Sequence, residues 1–218
     1  SLAASVDTAN QGTDAQTEAN AQRVYAILSG MGMSDVNIAG ILGNWTAESG
    51  VDPTGVETIY DEKFHIGPKK QAAQAVSFRI RDYNPGYAAQ YPRITYAGIG
   101  LGQWTNGRNT MLQEYAASIN KPWSELDTQL GFMVSKDDPA RVAYIHRMIT
   151  TPAASVEAAT REFMSQWEGL SDPSTGTRIT AAGQWFAKMG TPGWEADKAL
   201  ADSILAQAGT AVTTGNTQ

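Results

Sequence analysis

The stretch Asn44-Trp-Thr-Ala-Glu-Ser-Gly-Val-Asp52 decides how the rest of the chain is read. It has the form of the last turn of an apolar helix that ends on one carboxylate, Glu48, with Gly50 as its stop signal. Upstream, Ile38, Ile41, Leu42 and Trp45 recur at the i, i+3, i+4, i+7 spacing of a buried helix face. Glu48 lies two turns beyond Ile41, about 20° from the same direction, so its carboxylate belongs to the apolar stripe. Burial and the negative end of the helix dipole both act to raise its pKa. A carboxyl kept protonated near neutral pH is what a general acid requires. The same spacing also fits a partly exposed C-terminal Glu that merely falls in phase, and geometry alone leaves both readings standing.

The chain has 218 residues, 42% of them hydrophobic, with six Trp, eight Tyr and five Phe, which indicates a globular protein with a proper core. A net charge of −6 provides no basic stripe to neutralise phosphates, so nucleic acid is not expected as a partner. The absence of cysteine removes disulfides, thiolate metal sites and a Cys nucleophile together. The two histidines, His65 and His146, lie far apart with no HExxH-type spacing, which argues against a catalytic zinc. There is no Gly-x-Ser-x-Gly elbow, and the run Gly98-Ile-Gly-Leu-Gly102 lacks GxGxxG spacing and a Walker lysine. Carboxylate acid chemistry, needing no metal and no cofactor, is what survives. No run approaches the ~20 apolar residues of a membrane span, and no signal peptide is visible. Ser1 is not a natural start, so the expectation is a monomeric module trimmed from a longer protein.

Residues 1–16 are small and polar and read as a tether; a catalytic domain follows over 17–208 and a polar tail over 209–218. The first helix is expected over 17–32, with Val24, Ile27, Leu28 and Met31 facing inward, and Ser34 is a good N-cap for the Glu48 helix. Residues 51–102 are broken by Pro and Gly. The runs 56–60, 78–81 and 94–96 suit short strands, with a short helix near 70–76. The helical period then returns. Met111, Leu112, Tyr115 and Ile119 mark one helix, and Pro122, Trp123, Leu126, Leu130 and Met133 the next. Val142, Ile145 and Ile149 mark a helix that must break before Pro152. Ser155 caps one carrying Val156, Ala159, Phe163 and Trp167. Trp185, Phe186 and Met189 mark another, and 194–205 the last. The predicted fold class is α+β, mostly helical.

Two motifs carry a family resemblance. Residues 40–53, Gly-Ile-Leu-Gly-Asn-Trp-Thr-Ala-Glu-Ser-Gly-Val-Asp-Pro, resemble the catalytic helix of the phage tail-type lysozymes, which cleave peptidoglycan. Residues 98–105, Gly-Ile-Gly-Leu-Gly-Gln-Trp-Thr, followed by Arg108, resemble that family's second motif. They are also similar to the Gly-Leu-x-Gln element of lytic transglycosylases and goose-type lysozymes. Residues 163–168, Phe-Met-Ser-Gln-Trp-Glu, form a third, weaker match. The resemblance implies a lysozyme-like fold with a helical lobe, a small β lobe and a glycan cleft between them, and it places the general acid on Glu48.

On that reading Gln103 contacts a sugar N-acetyl group or positions water, or else satisfies backbone groups in the glycine-rich turn. Trp104 and Tyr96 stack on sugar faces, whereas Trp45, on the buried stripe, belongs to the core. Gly98, Gly100 and Gly102 suit close approach to a ligand or a plain tight turn. Glycosidases usually pair two carboxylates. Asp52, Glu57, Asp61, Glu62, Asp82 and Glu168 are the candidates for the second. Lysozyme-like folds tend to take it from the β lobe shortly after the acid, which favours Asp61 or Glu57. Asp61 is taken as the partner and Glu57 as a substrate contact. Asp52 is also placed to cap the turn after Gly50, Glu168 to cap a helix end or form a salt bridge, and His146 to be half-buried or solvated. Lys69 and Lys70 form a short basic patch able to brush the wall polymer.

The implied function is a muramidase that cleaves the β-1,4 bond between N-acetylmuramic acid and N-acetylglucosamine in peptidoglycan strands, outside the cell, at the wall or on a virion. The rivals are a lytic transglycosylase leaving anhydro ends and a glycan-binding module without turnover.

Overall fold

The computed structural model describes residues 14–57, 78–83, 85–169 and 173–212, and the helix that carries Glu48 lies at its centre. This helix, α2 (Asp35–Ser49), follows α1 (Asp14–Gly30). Ser34 caps it as expected: its backbone is extended and its side chain accepts a hydrogen bond from the Asn37 N–H. Gly50 stops it at φ 65°, a left-handed conformation that costs glycine no Cβ clash. Along α2 not only Ile38, Ile41, Leu42 and Trp45 are buried but also Asn37, Asn44, Glu48 and Ser49. A helix enclosed around most of its circumference belongs to the interior of a fold.

The remaining helices among the described residues are α3 (Ile80–Tyr83), α4 (Pro85–Gln90), α5 (Gly107–Ser118), α6 (Leu126–Met133), α7 (Pro139–Thr150), α8 (Val156–Phe163), α9 (Thr175–Lys188) and α10 (Lys198–Ala208). α8 runs on into a π-helical turn, Met164–Glu168. α9 and α8 are the principal neighbours of α2, and α10 packs on α1 and α6. Two glycines let the α2 backbone approach so closely. A Cβ on Gly40 would stand 2.8 Å from the Ala159 backbone, and one on Gly43 only 2.5 Å from the Arg178 carbonyl oxygen.

Polar caps close the ends much as the sequence indicates. Ser155 accepts from the Ala158 N–H, Asp138 from the Arg141 N–H ahead of Pro139, and Asp197 from the Leu200 N–H. α7 stops at Thr150, short of Pro152. Three boundaries differ from expectation. α1 begins at Asp14, inside the expected tether. α6 begins at Leu126, because Pro122 and Trp123 lie in the turn before it, and α10 begins at Lys198 rather than near Trp194.

The protein is mostly helical, and among the described residues there is no strand. Among the described residues two isolated antiparallel bridges touch the runs expected as strands, Val56 with Ile99 and Arg79 with Tyr96, and a third joins Ile99 with Trp104 in the glycine-rich loop. The run 78–81 contributes one bridging residue and then turns into α3, and the helix expected near 70–76 lies outside the described residues. None of the described helices is long and apolar enough to cross a membrane.

The core is built around three indoles. Trp45, Trp104 and Trp167 are fully buried, with ring centroids 6.3, 6.1 and 5.5 Å apart in the three pairings, and Phe163 stacks on Trp167 at 4.8 Å. Burying roughly 150–250 Å² per indole contributes about 4–6 kcal/mol each at ~25 cal/mol per Å². The glycine-rich loop closes over this cluster. A Cβ on Gly102 would enter the Trp167 ring, and Gly100, at φ 79°, turns the chain against the Gln129 amide. The close approaches of these glycines are thus to the protein's own side chains.

Gly43→Ala should destabilise the protein by about 1–3 kcal/mol, the usual cost of overpacking a fixed interface. Chemical denaturation measures this, and an unchanged midpoint would show that α2 and α9 are free to separate.

Candidate active site around Glu48

Two backbone segments meet at the end of α2. Ser49 Oγ donates to the Leu101 carbonyl at 2.7 Å, tying the helix end to the glycine-rich loop. The chain after Gly50 then docks along that loop, with Gly100 N–H donating to Gly55 O at 2.8 Å and Glu57 N–H to Gly98 O at 2.7 Å. Gln129 holds the junction from α6: its Oε1 accepts from the Leu101 N–H, and its Nε2 donates to Pro53 O and Trp123 O. The two motifs singled out in the sequence are therefore one structural unit.

Glu48 itself is clamped by a residue the sequence reading did not select. Arg178 of α9 donates through Nη2 to Glu48 Oε1 at 2.6 Å, with only 1% of the Arg178 side chain and 10% of the Glu48 side chain exposed. Nη1 of Arg178 donates to Asn44 Oδ1 at 3.1 Å, and Nε to Ser174 Oγ at 2.8 Å. The guanidinium is thus fixed from three directions. Glu48 Oε2 carries no hydrogen bond among the described residues, so one oxygen is anchored by Arg178 and the other is not. The signal for Arg178 was present but is easily passed over. Arg178, Ala182, Trp185 and Met189 follow helical spacing, which places a cation on the face that α9 turns to the core.

The charge of Glu48 acts on two further carboxyls. Glu57 Oε2 accepts from the Gly98 N–H at 2.9 Å. Its pKa is raised above the ordinary 4.5, chiefly by burial and further by the charge of Glu48, against the lowering effect of the Gly98 hydrogen bond. Glu168, at the end of the π-helical turn, is pushed well above the ordinary value, first by burial and then by Glu48, while Arg178, Arg108 and Arg141 pull the other way. Its Oε1 is buried and meets no hydrogen-bond partner among the described residues, so the expected cap or salt bridge is not what the structure shows.

A second buried ion pair supports the floor of this region. Arg108 makes a fork to Asp137 through Nε and Nη2, both at 2.8 Å, and Asp137 also accepts from Trp104 Nε1 at 3.0 Å. Arg108 and Arg141 both donate to the Trp167 carbonyl, at 3.3 and 3.0 Å, and the Arg108 guanidinium lies 4.4 Å from the Trp167 ring centroid.

Several expected site residues have other work. Trp104 is fully buried with its N–H spent on Asp137, so it has no ring face for a sugar, and the stacking expectation is corrected to a core role. Gln103, at φ 50°, donates its amide to Gly100 O at 2.8 Å and Gly55 O at 3.2 Å, which satisfies the turn and holds the two segments together. Tyr96 is half-buried beneath Arg79, 5.7 Å from guanidinium to ring centroid. It lines a cavity of about 330 Å³ with Arg79, Arg81 and Ile94, and none of Glu48, Glu57 and Glu168 lines that cavity. Asp52 closes its own turn, its Oδ1 accepting from Thr54 N–H at 2.9 Å, and Asp82 is an exposed surface charge beside Arg81. His146 is half-buried against the Val134 carbonyl at 2.7 Å. Asp61, Glu62, His65, Lys69 and Lys70 lie outside the described residues.

Removing the guanidinium by Arg178→Met should destabilise the fold by about 3–5 kcal/mol, because Glu48 is left buried and uncompensated. The loss should shrink clearly in a Glu48→Gln background, and a double-mutant cycle by denaturant unfolding measures that coupling. Additive losses would mean that the pair does not hold the two helices together. Glu57 gives a pH signature. Its folded pKa is raised, so its stabilising contribution is complete below the unfolded value of about 4.3 and is lost as pH rises through the folded value. Glu57→Gln should therefore gain stability relative to the native chain as pH is raised from about 4.5 towards 8. A difference in melting temperature that is flat across that range would contradict it.

No curated protein of similar sequence was found. The family model described as phage tail lysozyme matches residues 19–189, which takes in Glu48, the glycine-rich loop, Glu168 and Arg178. Membership points to a lysozyme-like, peptidoglycan-degrading function and to an association with the cell wall or a virion. With most of its length matched, this chain belongs to the phage tail lysozyme family.

Proposed function

We propose that the protein is a muramidase that cleaves the β-1,4 bond between N-acetylmuramic acid and N-acetylglucosamine, with Glu48 as its general acid. The observation that carries this reading is the asymmetric clamp on Glu48: Oε1 is locked by Arg178 while Oε2 is unengaged among the described residues. A carboxyl held by one oxygen keeps a single orientation, and its second oxygen can hold the proton that the leaving sugar oxygen must receive. As the glycosidic bond lengthens, positive charge grows on the anomeric carbon and Glu48 becomes a carboxylate, which Arg178 already neutralises. Water adding to the anomeric carbon completes hydrolysis and returns a proton.

For the second carboxylate, Glu57 is the described candidate whose position supports a role. It is docked on Gly98 beside the same loop and interacts electrostatically with Glu48. Asp61 remains the alternative proposed from the sequence.

A transglycosylase outcome is favoured by one observation. Burial, with the charge of Glu48 added to it, favours the neutral forms of both Glu57 and Glu168. The less charge these carboxyls carry, the less they assist an oxocarbenium ion, whereas attack by the muramyl C6 hydroxyl needs only the single acid.

Mass spectrometry of muropeptides released from purified walls decides between these outcomes. The native chain should free reducing N-acetylmuramic ends, and Glu48→Gln should lower the rate by at least about 10²-fold. Anhydro ends would establish the transglycosylase, and release undiminished in the Gln variant would remove Glu48 from the chemistry.

A further inference from the structure

The cavity of about 330 Å³ beside Tyr96 takes no part in the chemistry at Glu48, yet its walls are fixed by hydrogen bonds. The Arg79 and Tyr96 backbones form a bridge, Ile80 N–H donates to Thr95 O at 2.9 Å, and Ala97 N–H donates to Phe78 O at 3.0 Å. Asn106 Oδ1 accepts from the Thr95 and Tyr96 N–H groups at 2.9 and 3.2 Å. Ala88 of α4, Pro92 and Ile94 give the cavity an apolar side. Arg79 and Arg81 give it a cationic one, with Arg79 Nη2 donating to the Tyr96 hydroxyl at 3.4 Å.

Charge sets this part of the chain apart. The whole carries a net charge of −6, but residues 78–98 hold three arginines against one aspartate. Arg23, Arg108, Arg141, Arg161 and Arg178 each donate to a carboxylate oxygen. Arg81 differs from these. Among the described residues its carboxylate neighbour is Asp82, at 3.8 Å and beyond hydrogen-bond length, and 68% of the Arg81 side chain is exposed.

We propose that this cavity is a subsite for the stem peptide of peptidoglycan, the Arg81 guanidinium taking a peptide carboxylate and the apolar side taking alanine methyl groups next to it. This rests on the muramidase reading of the Glu48 site.

The ligand is argued from the mixed lining. A stem peptide carries free carboxylates and alanine side chains within a few residues of each other, which matches a guanidinium beside Ala88, Pro92 and Ile94. A wall polymer of phosphates has the charge but no methyl groups for the apolar side. The volume lies at the lower end of ligand sites, which suits a short peptide end rather than a run of sugars. Reach agrees as well. Tyr96 is two residues from Gly98, so the cavity wall lies within about 7 Å of the loop position on which Glu57 is docked. A stem of three residues extends about 10 Å from the muramic sugar that carries it. Holding that peptide fixes which of the two sugars stands on each side of Glu48.

The test compares glycan strands that keep their stem peptides with strands stripped of them by an amidase. The native chain should cleave the intact strands with a KM about fivefold lower, the scale of one exposed ion pair. Arg81→Gln should bring the two KM values together while acting little on kcat, and Arg81→Lys should restore part of the difference. Amidating the stem carboxylates should abolish the preference of the native chain. Equal KM values for the native chain, or a preference that survives in Arg81→Gln, would overturn the proposal. So would an Arg81 effect that vanishes when the phosphate polymer is removed from walls whose stems are intact.

A binding arm needs no turnover. A soluble stem peptide at millimolar concentration should shift the backbone amide NMR signals of Ala88, Ile94 and Tyr96 in the native chain and not in Arg81→Gln. No shift in the native chain would overturn the subsite. If these shifts appear while the native chain cleaves neither kind of strand, the muramidase reading fails and the subsite stands.

Discussion

The ion pair between Glu48 and Arg178 is the constraint on which the rest of the structure depends. Both groups are almost wholly removed from water, which costs several kcal/mol per ion unless geometry and additional hydrogen bonds offset it. The offset here is specific. Asn44, one helical turn before Glu48, and Ser174, one turn before Arg178, each accept from the guanidinium, so every nitrogen of Arg178 is engaged. Such an arrangement demands that α2 and α9 lie at one separation and in one register. Gly43 permits that separation, and Gly40 does the same for α8. The packing of the centre and the polarity of the site are consequently a single problem with a single solution.

That solution also explains why the glycine-rich loop has its composition. The loop must pass between the indole cluster and the residues that follow α2, where a side chain at position 102 would collide with Trp167 and one at position 100 with Gln129. Gln103 then spends its amide on joining Gly55 to Gly100, and Ser49 joins the helix end to Leu101. Beneath, the Asp137–Arg108 pair engages the Trp104 N–H and the Trp167 backbone carbonyl, so among the three core indoles it is Trp104 whose ring N–H is held by a polar group. Trp45 and Trp167 have no such partner for their own N–H groups among the described residues, and their orientation rests on packing.

Much of this was legible in the sequence where the signal is local. The period of Ile38, Ile41, Leu42, Trp45 and Glu48 placed the helix and its face, and Ser34, Ser155 and Gly50 marked ends that the structure confirms. What escaped was long-range. Nothing near Arg178 in the chain announces a partner 130 positions away; only its phase with Ala182 and Met189 hints that it points inward. Trp104 illustrates the opposite error. An aromatic after a glycine run suits a sugar platform equally well as a core, and the deciding fact, its hydrogen bond to Asp137, joins residues 33 apart. Short β-friendly runs gave isolated bridges rather than strands, because β pairing is set by partners that sequence does not display.

The central claim is that Glu48 Oε2 faces the bond to be broken, and a crystal structure of Glu48→Gln with a peptidoglycan oligosaccharide bound tests it most directly. The account predicts the glycosidic oxygen within about 2.6–3.2 Å of the position-48 side chain, on the side away from Arg178. A glycan seated instead in the cavity beneath Arg79 and Tyr96, with no sugar oxygen near position 48, would contradict it.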